Sequence, residues 1–322
     1  MKVGILGAGN IAVQMAKTLN LMTETEAYAV ASRDPAKAQA FARANHVAKA
    51  YGSYEAMLED AEVGLIYVAT PHSHHYEHIK LCLDYGKPVL CEKAFTANAD
   101  QAREVLALGK EKGLLVAEAI WTRYMPMRWK IKEIMDSGVI GQPACLSASL
   151  GYYIEKVPRI SDPALAGGAL LDVGVYTLNF ASMFFGNSIA GMVSNCVKTD
   201  TGVDASSGVV IAYKDGKMAT LYSTTRAVSE RRGIICGPKG QIEVANINNF
   251  EKITVYGADY QPIAVYDRPE QYTGYEYEVQ AAINAIREGK TECEDMPHSE
   301  IIEIMEQMDA LRAQMSIKYP FE

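Results

Sequence analysis

Near its start the chain reads Gly7-Ala8-Gly9-Asn10-Ile11-Ala12, between a short apolar run at 2–6 and a helical pattern at 11–20. In a turn of that form the first glycine permits the tight bend, the second lets the backbone approach a pyrophosphate, and the small third residue lets helix and strand pack closely. The helix start adds unpaired N–H groups and a partial positive charge toward an anion. A dinucleotide is the expected ligand, with Gly7, Gly9, Asn10 and Ile11 facing its phosphates; a plain glycine turn is the alternative.

About 20 residues on, an NAD site would carry an acidic residue for the ribose 2′-hydroxyl. Here the chain has Ala31-Ser32-Arg33-Asp34, with Lys37 one helical turn further. Ser32 can hydrogen-bond a 2′-phosphate, and Arg33 can pair with it or stack on adenine. This favours NADP, with NAD possible. The same residues also read as a helix start, with Asp34 as N-cap and Pro35 at the first helical position.

Two further patterns could carry proton chemistry. Cys91-Glu92-Lys93-Ala94 ends an apolar run at 88–91, so a lysine and a glutamate fall on an edge where doubly wound folds bind ligands. Such a lysine can give or take a proton while the glutamate orients or offsets it. A surface ion pair is the competing reading. In Gly167-Gly168-Ala169-Leu170-Leu171-Asp172-Val173-Gly174-Val175-Tyr176, the spacing puts Asp172 and Tyr176 on one helix face. A tyrosine phenol beside a lysine can shuttle a hydroxyl proton as hydride leaves the same carbon, although Tyr is also a common packing aromatic.

The elements that must position these groups fall into two regions. Strand-like runs at 2–6, 27–31, 64–69, 88–91 and 114–118 alternate with helical stretches at 11–20, 35–44, 74–85 and 98–112, as in parallel βαβ units. Residues 1–120 are therefore expected to form an α/β Rossmann domain with a doubly wound parallel sheet. Helix 124–136 links this to 121–322, expected to be a substrate-binding and oligomerisation α+β domain. Its strands at 143–151, 190–198, 206–214, 217–224, 231–237, 240–245, 252–256 and 261–266 would make a large, mainly antiparallel sheet. A helix at 168–185 interrupts that region, and helices at 275–288 and 299–316 close the chain.

These motifs in this order resemble the glucose-fructose oxidoreductase / inositol dehydrogenase / MocA family across nearly the whole chain. The likeness rests on GAGNIA, on Thr70-Pro71-His72 with His75, on Glu92-Lys93 and on GGALLDVGVY. Glu118 to Tyr124 (EAIWTRY), Tyr176 and Thr201-Gly202-Val203-Asp204 look most like its dihydrodiol dehydrogenase and NADP-dependent D-xylose dehydrogenase branch. The resemblance implies that Lys93 and Tyr176 are the catalytic pair, that Asp172 supports them, and that Trp121 and Arg123 line the nicotinamide and substrate pocket. It also implies that Thr70, Pro71, His72, His75 and Glu92 border the cofactor. One departure is Ala94 where the family has proline, which frees the backbone φ there.

The expected activity is hydride transfer between nicotinamide and a secondary alcohol carbon of a sugar, polyol or cyclic diol. The alternatives are a cofactor-sensing regulator without chemistry on the same fold, and a glucose-fructose type oxidoreductase that keeps its nucleotide bound. Tyr152, Tyr153, Arg159, Asn179 and Tyr272 are candidates for the substrate pocket. His72, His74, His75 and His78 fall close together, but no cysteine or carboxylate cluster completes a metal site, so no metal is expected.

Composition narrows the setting. The 322 residues suffice for two domains at roughly 100–200 residues each. Hydrophobic residues at 49% and charged residues at 22% are ordinary for a globular chain. Thirty-one Lys plus Arg against 39 Asp plus Glu give −8, a poor match to a nucleic-acid backbone. No uninterrupted apolar run suggests a membrane span, and the Gly-rich turn leaves no room for a leader before it. Six scattered cysteines read as reduced, mostly buried thiols of a cytoplasmic protein. A strand-rich second domain with few helices leaves one sheet face to cover, so a homodimer or higher oligomer is expected through it.

Overall fold

The computed structural model describes all residues, 1–322. The chain forms two compact units, Met1–Trp121 with Gln271–Met305, and Thr122–Glu270 with Glu306–Glu322.

The first unit runs β1 (Lys2–Leu6), α1 (Asn10–Leu21), β2 (Glu26–Ala31), α2 (Pro35–Ala44), β3 (Lys49–Tyr51), α3 (Tyr54–Leu58), β4 (Leu65–Val68), α4 (His72–Asp84), β5 (Val89–Glu92), α5 (Ala99–Lys112) and β6 (Val116–Ala119). Its sheet is wholly parallel, ordered β3-β2-β1-β4-β5-β6. The β1, β4 and β5 runs are buried on both faces, which is why they are continuously apolar rather than alternating. The strand order reverses between β1 and β4, and ligands of such sheets bind at the carboxyl ends on either side of that point. β3 and α3 are the elements that the sequence reading passes over. Lys49-Ala50-Tyr51 is short and largely exposed, so it carries almost no apolar signal.

In the second unit, α6 (Pro126–Asp136), β7 (Cys145–Gly151), α7 (Pro158–Ser161) and α8 (Val175–Phe185) precede β8 (Ile189–Lys198), β9 (Asp204–Tyr213), β10 (Met218–Thr224), β11 (Gly233–Gly237), β12 (Gly240–Ala245), β13 (Lys252–Gly257) and β14 (Pro262–Asp267). The eight strands are ordered β14-β13-β12-β11-β7-β10-β9-β8 and are antiparallel except for the β7–β10 pair. Along β9 and β10 buried and outward residues alternate, as a sheet covered on one face requires. The other face is open in the single chain. It carries a cross-strand row of Val193, Val210, Thr220, Ser147, Ile234, Glu243, Thr254 and Val265. Val193, Val210 and Val265 are exposed there.

α9 (Glu276–Arg287) and α10 (His298–Gln314) complete the chain. The expected second domain, 121–322, is thus not continuous: 271–305 belongs with the first unit. The reason is visible at β6, the edge strand. Val116 donates its N–H to Thr291 O at 3.0 Å, and its carbonyl accepts from His298 Nε2 at 2.8 Å. The returning segment thus satisfies an edge that βαβ topology leaves open.

The expected regular helix at 168–185 also differs. Leu170–Gly174 is a π-turn that leads into α8, and a glycine pair precedes it. Gly168 has φ +125°, and a side chain there would run into the Asp204 carboxylate. That carboxylate accepts the Leu170 N–H at 2.7 Å and the Ser207 hydroxyl, so Asp204 serves an otherwise orphaned donor at the helix start. By length and composition Pro163–Phe185 could cross a membrane, but nearly nine-tenths of it is buried within the protein. The cysteines are less uniformly buried than expected. Cys82, Cys91 and Cys293 are buried, Cys196 and Cys236 half-buried, and Cys145 exposed on the outer face of β7; all six are free thiols.

Gly168→Ala should cost about 1–3 kcal/mol of stability, the range for a residue forced into a sparsely populated backbone region. Urea unfolding of the variant beside the parent checks this.

Candidate active site

Gly7 closes β1 with φ +107° and donates its N–H to Ala31 O at 3.0 Å, at the end of β2. A Cβ there would stand 3.0 Å from Ala69 O, at the end of β4, so only glycine lets the three strand ends draw together. Gly9, the N-cap of α1, has open space on its Cβ side. No side chain caps α1 and its first turn has no acidic residue, whereas Asp34, Ser53 and Asn98 cap α2, α3 and α5. The N–H groups of the first turn, at Asn10 and Ile11, therefore remain for an anion. These features fit a dinucleotide pyrophosphate.

At the end of β2, Asp34 accepts from Ala36 N at 2.9 Å and Lys37 N at 3.2 Å, and Pro35 opens the helix. The helix-start reading of this segment holds. Ser32 is buried; its N–H donates to Tyr51 O and its Oγ accepts from Asp34 N, both at 3.2 Å. Arg33 is exposed and lines a cavity of about 610 Å³ with Tyr54, Glu55, Glu77, His78 and Lys80. Lys37, also exposed, does not line that cavity.

After β4, Thr70 and Pro71 are half-buried, and Pro71 is the N-cap of α4. His72 and His75 meet edge to face at 5.8 Å. His75 is fully buried, with Nε2 2.7 Å from Thr70 O and Nδ1 2.9 Å from Ala94 O. Burial lowers its pKa to about 4, keeping the ring neutral. It ties the loop after β4 to the loop after β5, with both ring nitrogens engaged by backbone carbonyls.

Glu92 and Lys93 end β5. The Glu92 carboxylate is buried, accepting from Tyr67 OH and from Lys93 N at 3.2 Å. It lies behind the edge and not at the surface, unlike the surface ion pair of the competing reading. Lys93 is half-buried, and its peptide bond to Ala94 is cis. Phe95 N donates to Glu118 at 3.1 Å. A third carboxyl, Glu278 on α9, is fully buried with neither oxygen hydrogen-bonded. Burial, then the charges of Glu92 and Glu118, raise its pKa well above the usual carboxylate range. The sequence reading missed Glu278, although its place among Val279, Ala282 and Ile283 on the buried face of α9 is a signal that could have found it. Trp121 stacks on Tyr275, ring centres 4.1 Å apart.

In the second unit, Tyr176 is buried at the first turn of α8 and Asp172 is buried in the π-turn before it. Asp172 receives Arg159 Nη1 at 2.6 Å. Arg123 is fully buried; its Nε donates to Asn179 Oδ1 at 2.5 Å and its Nη2 to Ser182 Oγ at 2.8 Å. Arg123 and Asn179 therefore brace α8. Tyr152 OH accepts from Asn248 at 2.8 Å, while Tyr153 is exposed. Tyr272, in the first unit, is exposed, and its backbone N–H donates to Glu276 at 2.7 Å.

The raised pKa of Glu278 fixes a sign. Above the unfolded carboxylate pKa the folded state holds a proton that the unfolded chain releases, so stability falls as pH rises toward the folded value. Glu278→Gln removes that linkage. It should melt above the parent at pH 8, by a margin that shrinks toward pH 5, as thermal melts across that range would show.

Comparison with known proteins completes the picture. Residues 1–119 match the model of the oxidoreductase family GFO/IDH/MocA, NAD-binding Rossmann fold, and residues 129–243 match the GFO/IDH/MocA C-terminal domain. The trans-1,2-dihydrobenzene-1,2-diol dehydrogenase of Xenopus tropicalis is 32% identical over 99% of both chains. KijD10, a 3-ketoreductase from Actinomadura kijaniata crystallised with NADP and TDP-benzene, is 25% identical and superposes with TM-score 0.87 over 98% of both chains. An oxidoreductase from Agrobacterium radiobacter in complex with NAD+, L-tartaric acid and magnesium shares the fold at 15% identity and TM-score 0.83, over 98% of this chain and 96% of that one. The uncapped helix start at the strand-order reversal, the buried Glu92 behind Lys93 and this end-to-end match agree: the chain belongs to the GFO/IDH/MocA family of oxidoreductases.

Proposed function

We propose that this protein is an NADP-dependent dehydrogenase of a secondary alcohol on a cyclic diol or sugar, nearest in type to the trans-dihydrodiol dehydrogenases. The observation that carries this reading is the end-to-end likeness to such an enzyme, over 99% of both chains. NADP is preferred to NAD because the exposed residue that follows β2 and lines the cavity is Arg33, while Asp34, the acidic residue beside it, is committed to capping α2. When bound, the nicotinamide supplies the hydride acceptor or donor.

The chain's own residues then divide the work. The first-turn N–H groups of α1 hold the pyrophosphate, and Arg33 holds the 2′-phosphate. Tyr176 takes the hydroxyl proton during oxidation, and Lys93, as a cation, favours the phenolate. Glu92, pinned by Tyr67, fixes the strand end that bears Lys93. Asp172, paired with Arg159, steadies the π-turn ahead of Tyr176. We place the enzyme in the cytoplasm.

The test is calorimetric titration with NADP and NAD, followed by absorbance of reduced nicotinamide with cyclic diols and aldoses. NADP should bind more tightly and one substrate class should be turned over. Tyr176→Phe should lose about 10²–10⁴-fold in turnover, the range for a general acid–base group, with NADP affinity kept. Tight binding without turnover on any substrate would instead favour a nucleotide-sensing regulator.

The open face of the eight-stranded sheet, with Val193, Val210 and Val265 exposed, favours a homodimer formed through it. Light scattering should give twice the 35.2 kDa chain mass; a monomer would refute this assembly.

A further inference from the structure

The chain beyond α10 folds back against the segment that leads into Asp172 and Tyr176. Ser316, with φ +52°, turns it, and the Ile317 N–H donates to Arg312 O at 2.9 Å. Tyr319 follows and is buried, its ring under the Arg312 guanidinium at 4.6 Å and stacked with Phe321 at 5.7 Å. Arg312 is itself fixed: Nη1 and Nη2 donate to the two carboxylate oxygens of Glu322 at 2.9 and 2.8 Å, and Nη2 also donates to Asp309 at 2.9 Å. A guanidinium forked onto a carboxylate gives that ring a rigid cover.

The Tyr319 hydroxyl donates to Gly167 O at 3.1 Å. Burial pushes its pKa up, so it stays a protonated donor. Gly167 and Gly168 lead into the π-turn, and adjacent glycines have the most backbone freedom to lose. Their N–H groups donate to Asp162 O at 3.1 Å and Ile160 O at 2.8 Å, while the Gly168 carbonyl accepts from Asp172 N at 3.3 Å. Tyr319 thus holds a carbonyl one peptide unit ahead of the bond that seats Asp172, whose carboxylate meets Arg159 at 2.6 Å.

We propose that Tyr319 is a positioning residue for proton transfer: its hydroxyl anchors the Gly167 carbonyl and so fixes the turn that bears Asp172 and leads to Tyr176. Without that bond a buried carbonyl must seek another donor, and no side chain at 167 or 168 resists rotation of the peptide. The inference rests on the reading that Tyr176 takes the hydroxyl proton.

Tyr319→Phe tests it, because the ring stays under Arg312 and only the hydroxyl is removed. Amide hydrogen exchange read by mass spectrometry should quicken about tenfold over residues 170–174, as for one lost hydrogen bond, and stay at the parent rate along β12 and β13. Unchanged exchange in the turn would overturn the anchoring. With the cyclic diol or aldose that the parent oxidises, kcat should fall about 10–100-fold, the scale for a reacting group misplaced by up to about 1 Å, with KM and NADP affinity within about twofold of the parent. A merely structural role would lower the active fraction whatever stands at 176. In the Tyr176→Phe background the change should therefore cause no further loss of turnover, because Tyr319 acts through Tyr176. The same fractional loss in both backgrounds, or a kcat within about twofold of the parent, would each overturn the role of Tyr319. A Tyr176→Phe enzyme as fast as the parent, or a parent inert on both substrate classes, would instead defeat the underlying reading of Tyr176, and the exchange rates would still decide whether Tyr319 holds the turn.

Discussion

The first unit depends on one close approach, the backbone of Gly7 against the ends of β2 and β4. Its N–H reaches Ala31 and its missing Cβ makes room for the Ala69 carbonyl. A wider turn would separate the strand ends and lift the start of α1 away from the edge where an anion is to be held. The cavity wall inherits that geometry. Arg33 follows β2 and Thr70 follows β4, so both stand at the edge that Gly7 draws together.

A comparable constraint orders the second unit, with a charge in place of a missing side chain. Asp204 is buried, and desolvation raises its pKa even though it accepts from Leu170 and Ser207. A carboxylate kept in such surroundings is tolerated because it meets the unpaired donors where the apolar helix begins. The glycine pair before the π-turn is then a steric requirement, since any side chain at 168 would occupy the space of the Asp204 oxygen.

What the sequence made legible follows from what periodicity can report. Strands such as Met218–Thr224, which alternate between a covered and an open face, were located to within a residue or two, and so were α2 and α5 of the first unit. The nucleotide turn was readable because each of its residue types has a backbone reason to be there. Burial of individual polar side chains was not readable. Arg123 and His75 sit in motifs that point at a pocket, and only the fold shows that both are fully buried and hydrogen-bonded to Asn179, Ser182 and backbone carbonyls. Nor does a one-dimensional pattern say which unit a late helix joins, and so Glu278 and Tyr275 went unassigned.

The seal on β6 has a consequence for how the protein is made. Residues 1–121 leave the ribosome with every strand of the parallel sheet synthesised, yet the partner for Val116 lies at Thr291 and His298, about 175 residues later. Until then the nascent chain presents an unpaired strand edge, together with the buried charges of Glu92 and Glu118 and no α9 to cover them. The Rossmann half is therefore complete only once residue 298 has been made. The open face of the second unit, whose strands all lie within 145–267, can form before it.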